Sequence, residues 1–549
     1  MSLAPRPLAV FPLASAVLLA LALSASPSAA TPGDFLWSRG WDASGHAALD
    51  ATGATGTAGT FFGSINLGGG NILAGNFVGG DVFIARYGPA GGFAWGRTFT
   101  PTMNGVVVQA AAVDPAGDLY VGGKIVTGGI NFGGGVLGGA GQMWIVKFDP
   151  AGNFLWSDTY GPGDIADLSA SAAGVAVTGN FNGTIDFGGG PIVAVGGADA
   201  FVAVFDPNGV QQWSAGFGDG ANQAGKCVVL SATGGVGLSG TMQGTVDFGG
   251  GPLTAVATDL FLARFNASGA HVFSRDMPGA FGPGADIETD LALSGGNVVA
   301  LCGTLFGPTN FGTGFLPVLG ASDAFLVLYD ASGNLLWSKS YGGVGADTGQ
   351  GVQFDAGGNV VLTGSFENAI NFGGGAIPAI GGTDLFVAGV SGTGVYVWSR
   401  GYGTPNPDDV CRASTDPLGT VLLFGAAANL INFGGGNLAD GQFYVARIKA
   451  LSAPVAAPVV ASAAAAVRCA PNPFRDATSL TFASPRAAAG PVTIHDVAGR
   501  CVRTLRTDGD ASLVWDGRDA RGLAVPAGVY YWRLGSGADT RTGSIVRVR

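Results

Sequence analysis

The chain has 549 residues, of which 98 are glycine and only 11% are charged, while 47% are hydrophobic. The glycines follow no Gly-X-Y period and aromatic residues recur throughout, which excludes a collagen and argues against disorder. The net charge is −11 although the segment from Arg468 onward is basic, with twelve Arg, no Lys and seven Asp, so the acidic body excludes nucleic acid as an expected partner.

The first thirty residues are typical of a secretory signal peptide. Arg6 precedes an apolar run from Ala9 to Leu23, and small residues follow up to Ala30, where cleavage is expected. A retained membrane anchor is the alternative, but the run is shorter than the roughly 20 residues that a membrane span needs. No later segment is apolar and long enough to span. The mature chain is therefore predicted to be secreted or at a bacterial cell surface, without a membrane span.

An internal repeat occupies residues 31–450. One phrase, an aliphatic residue or Thr followed by Asn or Asp and then by glycines, recurs seven times at spacings of 65, 55, 61, 63, 61 and 61 residues. Its copies begin at Ile65, Ile130, Ile185, Val246, Thr309, Ile370 and Ile431. After each copy comes an alternating apolar stretch with an aromatic residue, and then a W-S strand reached through a short turn. Such a unit holds about four strands, which is typical of a propeller blade.

The two ends of the repeat region predict that it closes on itself. The chain begins with a lone W-S strand at Phe35–Ser38, and the last repeat stops near Lys449 without a W-S strand of its own. The N-terminal strand is expected to complete the last blade, which removes the open edges of the array. The predicted fold class is all-β, with a seven-bladed β-propeller closed by the N-terminal strand and a C-terminal Ig-like β-sandwich.

From Phe35 to about Ala450 the units resemble the bacterial extracellular beta-propeller repeat family. The pattern is roughly G-x-x-D-A-F-V-A-(R/K)-F/Y, then G-N, then W-S, with a distal N-F-G-G. The resemblance implies the propeller fold and no common catalytic residue. Gln142 and Gln442 in place of Asp, and Phe273 in place of Trp, depart from the pattern at capping and packing positions.

The repeat ends before residues 451–467, an uncharged Ala/Pro/Val segment that is predicted to be a linker. In residues 468–549, alternating strands broken by Gly-containing turns predict a small antiparallel sandwich. Its motif residues are Pro471, Asn472, Pro473, Phe474, Gly499, Arg500, Trp515, Asp516, Gly517, Gly528 and Tyr530. They are similar to the Ig-like domain shared by the FlgD group and the type A sorting domain of the type IX secretion system. The resemblance implies recognition by secretion machinery, and a FlgD-like domain without a sorting role is the alternative.

The residue patterns of enzymes and metal sites are missing from the sequence. His46, His271 and His495 are far apart, and neither G-x-S-x-G nor a D-x-D-x-D-G calcium loop occurs. No catalytic, cofactor-binding or metal-ligating residue is predicted. The repeated acids are Asp81, Asp199, Asp259, Asp323 and Asp384. They are expected to cap backbone amides at strand starts, and the alternative is a ring of carboxylates around a cation or polar ligand.

Two further residue types leave alternatives open. Cys469 and Cys501 share the last domain, where they either pair in an oxidising compartment or serve as small buried hydrophobes. The tryptophans of the W-S strands are expected to pack within or between blades, and the alternative is a platform for stacking sugars.

The expected function is a non-enzymatic scaffold that binds a protein or glycan. Loops that differ between blades, such as 276–290 and 402–409, are the expected binding elements. One alternative is a carbohydrate hydrolase or lyase with paired carboxylates about 5–10 Å apart in the propeller centre. Another is a structural spacer in an envelope or matrix. The near-identity of the blades disfavours the enzyme, because catalysis requires asymmetry.

Overall fold

The computed structural model describes residues 34–73, 80–103, 105–279, 289–312, 314–417, 419–427, 431–438, 443–449, 468–470, 473–481, 491–496, 500–506, 512–534 and 541–548. The predicted signal peptide and linker lie outside these ranges. The chain divides into two compact units, Met1–Val455 and Ala456–Arg549. All regular secondary structure in the described ranges is β-strand, and these ranges contain no helix that could span a membrane.

The strands of the first unit are short and follow one another closely along the chain. In order they are β1 (Phe35–Trp41), β2 (Ala43–Leu49), β3 (Thr55–Phe61), β4 (Ser64–Asn66), β5 (Asn71–Leu73), β6 (Asp81–Tyr87), β7 (Phe93–Phe99), β8 (Val106–Val113), β9 (Leu119–Ile125), β10 (Gly129–Asn131), β11 (Val136–Gly138), β12 (Gln142–Phe148), β13 (Phe154–Ser171), β14 (Gly174–Phe181), β15 (Thr184–Asp186), β16 (Pro191–Val193), β17 (Asp199–Phe205), β18 (Gln211–Phe217), β19 (Gln223–Leu230), β20 (Val236–Met242), β21 (Thr245–Asp247), β22 (Pro252–Thr254), β23 (Asp259–Phe265), β24 (His271–Met277), β25 (Thr289–Leu293), β26 (Val299–Leu305), β27 (Thr309–Asn310), β28 (Phe315–Leu316), β29 (Asp323–Tyr329), β30 (Leu335–Tyr341), β31 (Thr348–Phe354), β32 (Val360–Asn371), β33 (Ala376–Val390), β34 (Tyr396–Tyr402), β35 (Asp408–Thr415), β36 (Thr420–Ala427) and β37 (Phe443–Lys449).

Most of these strands form four-stranded antiparallel sheets, in which we number the strands first to fourth. The strand orders are β2-β3-β6-β7, β8-β9-β12-β13, β13-β14-β17-β18, β19-β20-β23-β24, β25-β26-β29-β30, β31-β32-β33-β34 and β35-β36-β37-β1. The long strand β13 is the fourth strand of one sheet and the first strand of the next, so these two sheets are continuous. The small hairpins β4-β5, β10-β11, β15-β16, β21-β22 and β27-β28 are inserted between second and third strands.

The fourth strand of the last sheet comes from the other end of the chain. β1 pairs antiparallel with β37, so that Ser38 faces Ala446 and Trp41 faces Phe443. The Lys449 amide also donates to the Asp34 carbonyl at 3.0 Å. The N-terminal W-S strand thus supplies the strand that the last repeat lacks.

The hydrophobic core lies between successive sheets. Third strands such as β6 and β17 are buried along their whole length, because both of their faces are covered. One cluster joins Trp37 and Phe443 of the last sheet to Phe61 and Phe83 of the first. Burial of such a side chain contributes roughly 1.5–3 kcal/mol. The aromatic position that recurs in the sequence is therefore a core position between sheets.

The two ends of the sheets are built differently. At one end, here called the turn rim, first strands turn to second strands and third strands to fourth. Asp114 Oδ1 accepts the amides of Ala116 and Asp118 at 2.9 and 3.0 Å. Asp206 Oδ1 accepts those of Asn208 and Val210 at 2.8 and 2.9 Å. These are the capped tight turns that the Asp-Pro-x-Gly pattern predicts.

At the opposite end, the hairpin rim, lie the inserted hairpins and the connections between sheets. The Asn or Asp of the repeated glycine phrase caps each hairpin turn. For example, Asn131 Oδ1 accepts the amide of Gly133 at 2.8 Å, and Asp247 Oδ1 accepts that of Gly249 at 2.7 Å. A neutral and a charged residue make the same bond, so the cap requires an oxygen acceptor rather than a charge.

The second unit is a small pair of sheets. Its strands are β38 (Arg468–Ala470), β39 (Thr478–Thr481), β40 (Val492–His495), β41 (Cys501–Leu505), β42 (Ser512–Trp515), β43 (Gly528–Leu534) and β44 (Arg541–Arg547). They form the sheets β38-β39-β42 and β41-β40-β43-β44, which share one core around Trp515 and Ile494. Cys501 is a free, exposed cysteine, so the pairing with Cys469 is not formed.

Candidate functional site

The first strands of the first unit face a common cavity of about 340 Å³. Stretches of β2, β8, β13, β19, β25, β31 and β35 line this central cavity, which is one strand from each sheet. Ala51, Pro115 and Pro417 of the turn rim are also part of the lining, so the cavity lies toward that rim.

One register position of the first strand lies at the inner end of this cavity, and in three sheets its residue, Asp167, Asp290 or Arg412, lines the cavity directly. In the sheet that begins with β13, it is held by Asp167, which pairs with Thr178, and Thr178 in turn pairs with Val202. In chain order, the equivalent positions hold His46, Ala110, Asp167, Cys227, Asp290, Gly351 and Arg412. We call these residues the central ring. Repeats that are alike elsewhere therefore differ at this position.

A local backbone irregularity places several of the ring side chains. The register shifts by one residue immediately before Asp167, Cys227 and Arg412. A β-bulge of this kind bends the strand and re-aims the residue that follows it. The bulge thus allows a polar side chain to enter the cavity from a strand whose neighbouring residues are apolar.

An ion pair crosses the central cavity. The Arg412 guanidinium bonds the Asp167 carboxylate, and the two side chains are 29% and 8% exposed. β13 packs beside β8 and β19, whereas β35 packs beside β31 and β2. The pair therefore joins two strands that are not neighbours. Because it spans the cavity, it couples distant sheets directly.

The other carboxylate of the ring is also bonded on both oxygens. Asp290 accepts the Cys227 thiol at 3.2 Å and the Val352 amide at 2.8 Å. Asp167 accepts the Val228 amide at 3.0 Å in addition to Arg412. Each of these aspartates thus holds a backbone amide of the next sheet, and the ring is a network that links sheets.

The protonation states of the ring argue against nucleophilic chemistry. Burial, aided by Asp167 and Asp290, raises the pKa of the Cys227 thiol well above its usual value. Burial and the nearby Arg412 lower the pKa of His46 to about 4. Cys227 is therefore a protonated thiol at neutral pH and His46 is uncharged. A reactive cysteine requires the opposite shift, since the thiolate is the nucleophile.

Asp290→Asn is expected to stabilise the protein at neutral pH. Burial raises the pKa of Asp290 to about 6, so between about pH 4 and 6 the folded state keeps a proton that the unfolded state has released. The stabilisation that this retained proton provides is complete below the pKa of Asp290 in the unfolded chain. It is lost as the pH rises through the pKa of Asp290 in the folded protein. At pH 7.5 the variant should be about 1–3 kcal/mol more stable than the wild type, and near pH 4 this difference should vanish.

Urea unfolding of both proteins at several pH values measures this difference. His46 has the opposite sign, because its lowered pKa makes its contribution grow as the pH rises from about 4 to 6.5. That contribution is common to both proteins and cancels in the difference. A difference that is the same at every pH would contradict the prediction.

Four of the repeated acids are the first residues of third strands, and the fifth, Asp384, holds the equivalent position within the longer strand β33. They are buried, and four of them accept the amide of a residue three or four positions earlier: Asp199 from Val195 at 2.9 Å, Asp259 from Val256 at 3.0 Å, Asp323 from Leu319 at 3.2 Å, and Asp384 from Ile380. Asp81 instead accepts the Thr100 hydroxyl at 2.8 Å. The structure places them at the hairpin rim and not in the central ring.

No group of three or more His, Cys, Asp or Glu side chains with metal-ligating geometry occurs among the described residues. Burial raises the pKa of Asp199, Asp323 and Asp384, and their backbone bonds partly oppose this shift. Each of these carboxylates also lies against the glycine that directly follows the fourth strand of the same sheet. A Cβ on Gly403 would come within 2.2 Å of Asp384, so the residue there must be glycine for the carboxylate to fit.

The tryptophans of the W-S strands contact the next sheet. Trp95 Nε1 donates to the Pro150 carbonyl at 2.9 Å, and Trp37 Nε1 donates to the Pro89 carbonyl at 3.1 Å. Both acceptors belong to turns between third and fourth strands. The tryptophans thus pack between sheets, which leaves no stacked row of them for a sugar.

The motif residues of the second unit build its core and turns. Trp515 contacts the rings of Phe474 and Tyr530 at 5.4 and 5.1 Å, and its Nε1 donates to the Arg518 carbonyl at 3.0 Å. Gly517 has a φ of 64°, which favours glycine. The remaining motif residues are Pro473, Arg500, which bonds Asp496, and Asp516, which caps the Arg518 amide, together with Gly528 at the start of β43. Pro471, Asn472 and Gly499 lie outside the described residues, as does most of the loop 276–290.

Sequence reasoning missed the central ring. In the sequence His46 stands out only as one of three widely separated histidines, and simple repeat spacing does not group Asp167, Cys227, Asp290 and Arg412. The sequence does contain a signal for the ring, because an alignment of the first strands places these polar residues at the same position as Ala110 and Gly351. The bulges shift that alignment by one residue, which hides the position from simple repeat spacing.

One family model matches a part of the chain. Residues 472–538 match the FlgD Ig-like domain. No curated protein matches the chain. The first unit is similar to solved propeller structures at low identity. The Dos1 propeller is 10% identical with a TM-score of 0.36, over 76% of this chain and 96% of that one. The C-terminal WD40 domain of Sif2 is 8% identical with a TM-score of 0.36, over 76% and 97%.

A third solved structure covers nearly the whole chain. PorZ of Porphyromonas gingivalis, a surface component of the type-IX secretion system, is 11% identical with a TM-score of 0.14, over 94% of this chain and 100% of that one. At such low identities and TM-scores, these likenesses carry no functional argument.

Proposed function

We propose that this protein is a secreted or cell-surface, non-enzymatic scaffold that binds a protein or glycan through its hairpin rim. The observation that carries the proposal is a set of exposed aliphatic side chains at that rim, each with its backbone held by a repeated aspartate. They are Val195, Val256, Leu319 and Ile380, and these residues are 60%, 88%, 67% and 66% exposed. We assign partner binding to these side chains because they are exposed, apolar and fixed in position at one rim.

The proposal includes a closed ring of seven blades. The pairing of β1 with β37 supports closure, and so do contacts between the last sheet and the first. Arg447 of β37 bonds Asp416 and donates to the Gly53 carbonyl at 2.7 Å. Arg86 of β6 bonds Asp50 and donates to the Gly117 carbonyl of the following sheet at 2.6 Å. The last sheet thus contacts the first in the way that the first contacts the second.

The state of the central ring supports a binding role over catalysis. Asp167 and Asp290 are non-repeating carboxylates in one cavity, which is what the hydrolase alternative requires. However, Asp167 is paired with Arg412, and both oxygens of Asp290 are bonded within the protein. Both carboxylates thus have partners within the protein, which leaves neither of them free for acid–base work.

The C-terminal domain is proposed to connect the scaffold to a secretion or surface-sorting apparatus. Its match to the FlgD Ig-like domain and its net positive charge, against an acidic body, support this role. A basic surface is attracted to anionic envelope components.

Binding of the full mature chain to a panel of polysaccharides and to purified envelope proteins tests the proposal. The double variant Leu319→Asp/Ile380→Asp should weaken the binding that the wild type shows by at least about tenfold, because charges would replace apolar contacts. The matched control is Val210→Asp/Val395→Asp, which changes two turn-rim side chains of similar exposure, 59% and 62%. The control should bind as the wild type does.

Two results would contradict the proposal. Equal loss of binding in the control would show that the hairpin rim is not the specific surface. Release of new reducing ends from any of the polysaccharides by the wild type would make the protein an enzyme of the alternative class.

A further inference from the structure

Two connections between sheets at the hairpin rim each bring a pair of buried carboxylates together. In the first, Asp323 at the start of β29 is joined by Asp347, which directly precedes β31. In the second, Asp384 within β33 is joined by Asp408 at the start of β35. All four side chains are at most 2% exposed.

The two pairs have the same geometry around two consecutive residues, the first of which is a glycine. A Cβ on Gly342 would lie 2.3 Å from Asp323, and Asp347 Oδ2 accepts the amide of the next residue, Gly343, at 2.8 Å. In the second connection, Gly403 abuts Asp384 in the same way, and Asp408 Oδ2 accepts the Thr404 amide at 2.6 Å. The two carboxylates therefore flank one short stretch of backbone in each case.

The Leu319 amide donates to both oxygens of Asp323, whereas in each of the other three carboxylates one oxygen accepts a backbone amide and the other has no partner. Asp347 Oδ1, Asp384 Oδ1 and Asp408 Oδ1 are buried and accept no hydrogen bond. No salt bridge in the described part of the chain involves any of these residues. A buried carboxylate with an orphaned oxygen is costly unless something neutralises it.

A third connection shows that the backbone contact alone does not require an acid. There, Asp199 lies against Gly218, and the next amide, that of Asp219, donates to Gln223 Oε1 at 3.3 Å. Gln223 follows its glycine by the same five positions as Asp347 and Asp408 follow theirs. Since the neutral amide of Gln223 accepts this backbone N–H, the negative charge of Asp347 and Asp408 is not required for the backbone contact.

We propose that each pair, Asp323 with Asp347 and Asp384 with Asp408, binds a divalent cation of the Ca²⁺ type. The orphaned carboxylate oxygens supply the charged ligands, and carbonyl oxygens of the connecting backbone complete the coordination. Ca²⁺ accepts mixed carboxylate and carbonyl ligands in irregular geometry, whereas Mg²⁺ demands a regular octahedron. Because the sites lie where one sheet passes to the next, the cations would tie neighbouring sheets together and rigidify the hairpin rim. The alternative is a proton shared within each pair.

Calcium binding to the full chain tests this inference. After treatment with EDTA, CaCl₂ should raise the Tm by about 3–5 °C, and MgCl₂ should raise it much less. Isothermal titration should show two more bound Ca²⁺ ions per wild-type chain than per Asp347→Asn/Asp408→Asn double variant. The Asn side chain keeps the oxygen that accepts the backbone amide, so the variant should fold while losing the calcium response.

Asp219→Asn is the matched control. Asp219 lies in the third connection, where both of its oxygens are bonded, one by the Ala221 amide at 2.8 Å and the other by the Thr245 amide. This variant should keep the full calcium response. Two results would overturn the inference: a calcium response that survives in the double variant, or a wild type whose Tm ignores calcium while the double variant is more stable without metal. The second result would identify a shared proton. Neither readout depends on partner binding, so the test is independent of the proposed function.

Discussion

Replacing Asp167 by alanine is expected to lower the free energy of unfolding by about 3 kcal/mol. The substitution leaves the Arg412 guanidinium in the central cavity without its partner, and it leaves the Val228 amide without its acceptor. Removing one member of a buried ion pair costs about 3–5 kcal/mol, and the partial exposure of Arg412 places the expected value at the low end. Urea unfolding at pH 7.5 measures the loss.

A double-mutant cycle isolates the ion pair from other effects. Arg412→Ala alone should also destabilise, and the double variant should be less unstable than the sum of the two single changes, because the second removal no longer strands a charge. The matched control is Asp164→Ala, which removes a pair between Lys124 and Asp164 whose side chains are 27% and 43% exposed. That control should cost under about 1 kcal/mol. Additive single effects would show that the two residues do not act together.

The second large effect concerns the strand that joins the two ends of the repeat region. Trp37→Ala is expected to lower the free energy of unfolding by about 3–5 kcal/mol. Trp37 is 7% exposed, contacts the ring of Tyr87 and bonds the Pro89 carbonyl of the first sheet. Its loss removes both the packing of β1 and a bond between the last sheet and the first. Hydrogen exchange should then increase in β1 and β37 before it increases elsewhere.

Leu36→Ala is the control in the same strand. Leu36 is 37% exposed, so its truncation should cost under about 1 kcal/mol and leave the exchange of β37 unchanged. If Trp37→Ala cost no more than this control, the N-terminal strand would contribute little to the fold, and the proposed closure would lose its support.

The central ring shows how a repetitive chain can contain a non-repeating centre. Sheets built from similar sequences pack by the same aromatic and turn residues, so their outer structure is nearly periodic. The ring position is not restricted to one residue type: Ala110 and Cys227 belong there to the hydrophobic core, whereas Asp167 and Arg412 form an ion pair. Variation at that one position creates a network, because the first strands all face one another.

Buried carboxylates have different partners in the central ring and in the acid pairs at the hairpin rim. In the ring, Asp167 meets a guanidinium supplied by a distant strand. At the rim, Asp384 and Asp408 meet each other, and the described part of the chain offers them no base. The ring is therefore complete within the protein, whereas the rim pairs call for a cation or a proton from outside it.

Much of the secondary structure of this protein can be predicted from its sequence, because it depends on short-range interactions. Alternating apolar residues, Asp-Pro-x-Gly turns and the repeated glycine phrase predict the strands, the capped turns and the inserted hairpins, because each depends on residues only a few positions apart. The W-S strand at Phe35–Ser38, without a repeat of its own, predicts that the two ends of the repeat region pair. Only the tertiary structure decided the central ring and the acid pairs. Arg412 and Asp167 are 245 residues apart, and a bulge of one residue determines whether each side chain enters the cavity. Such contacts depend on the exact register of several strands at once, which no short stretch of sequence encodes.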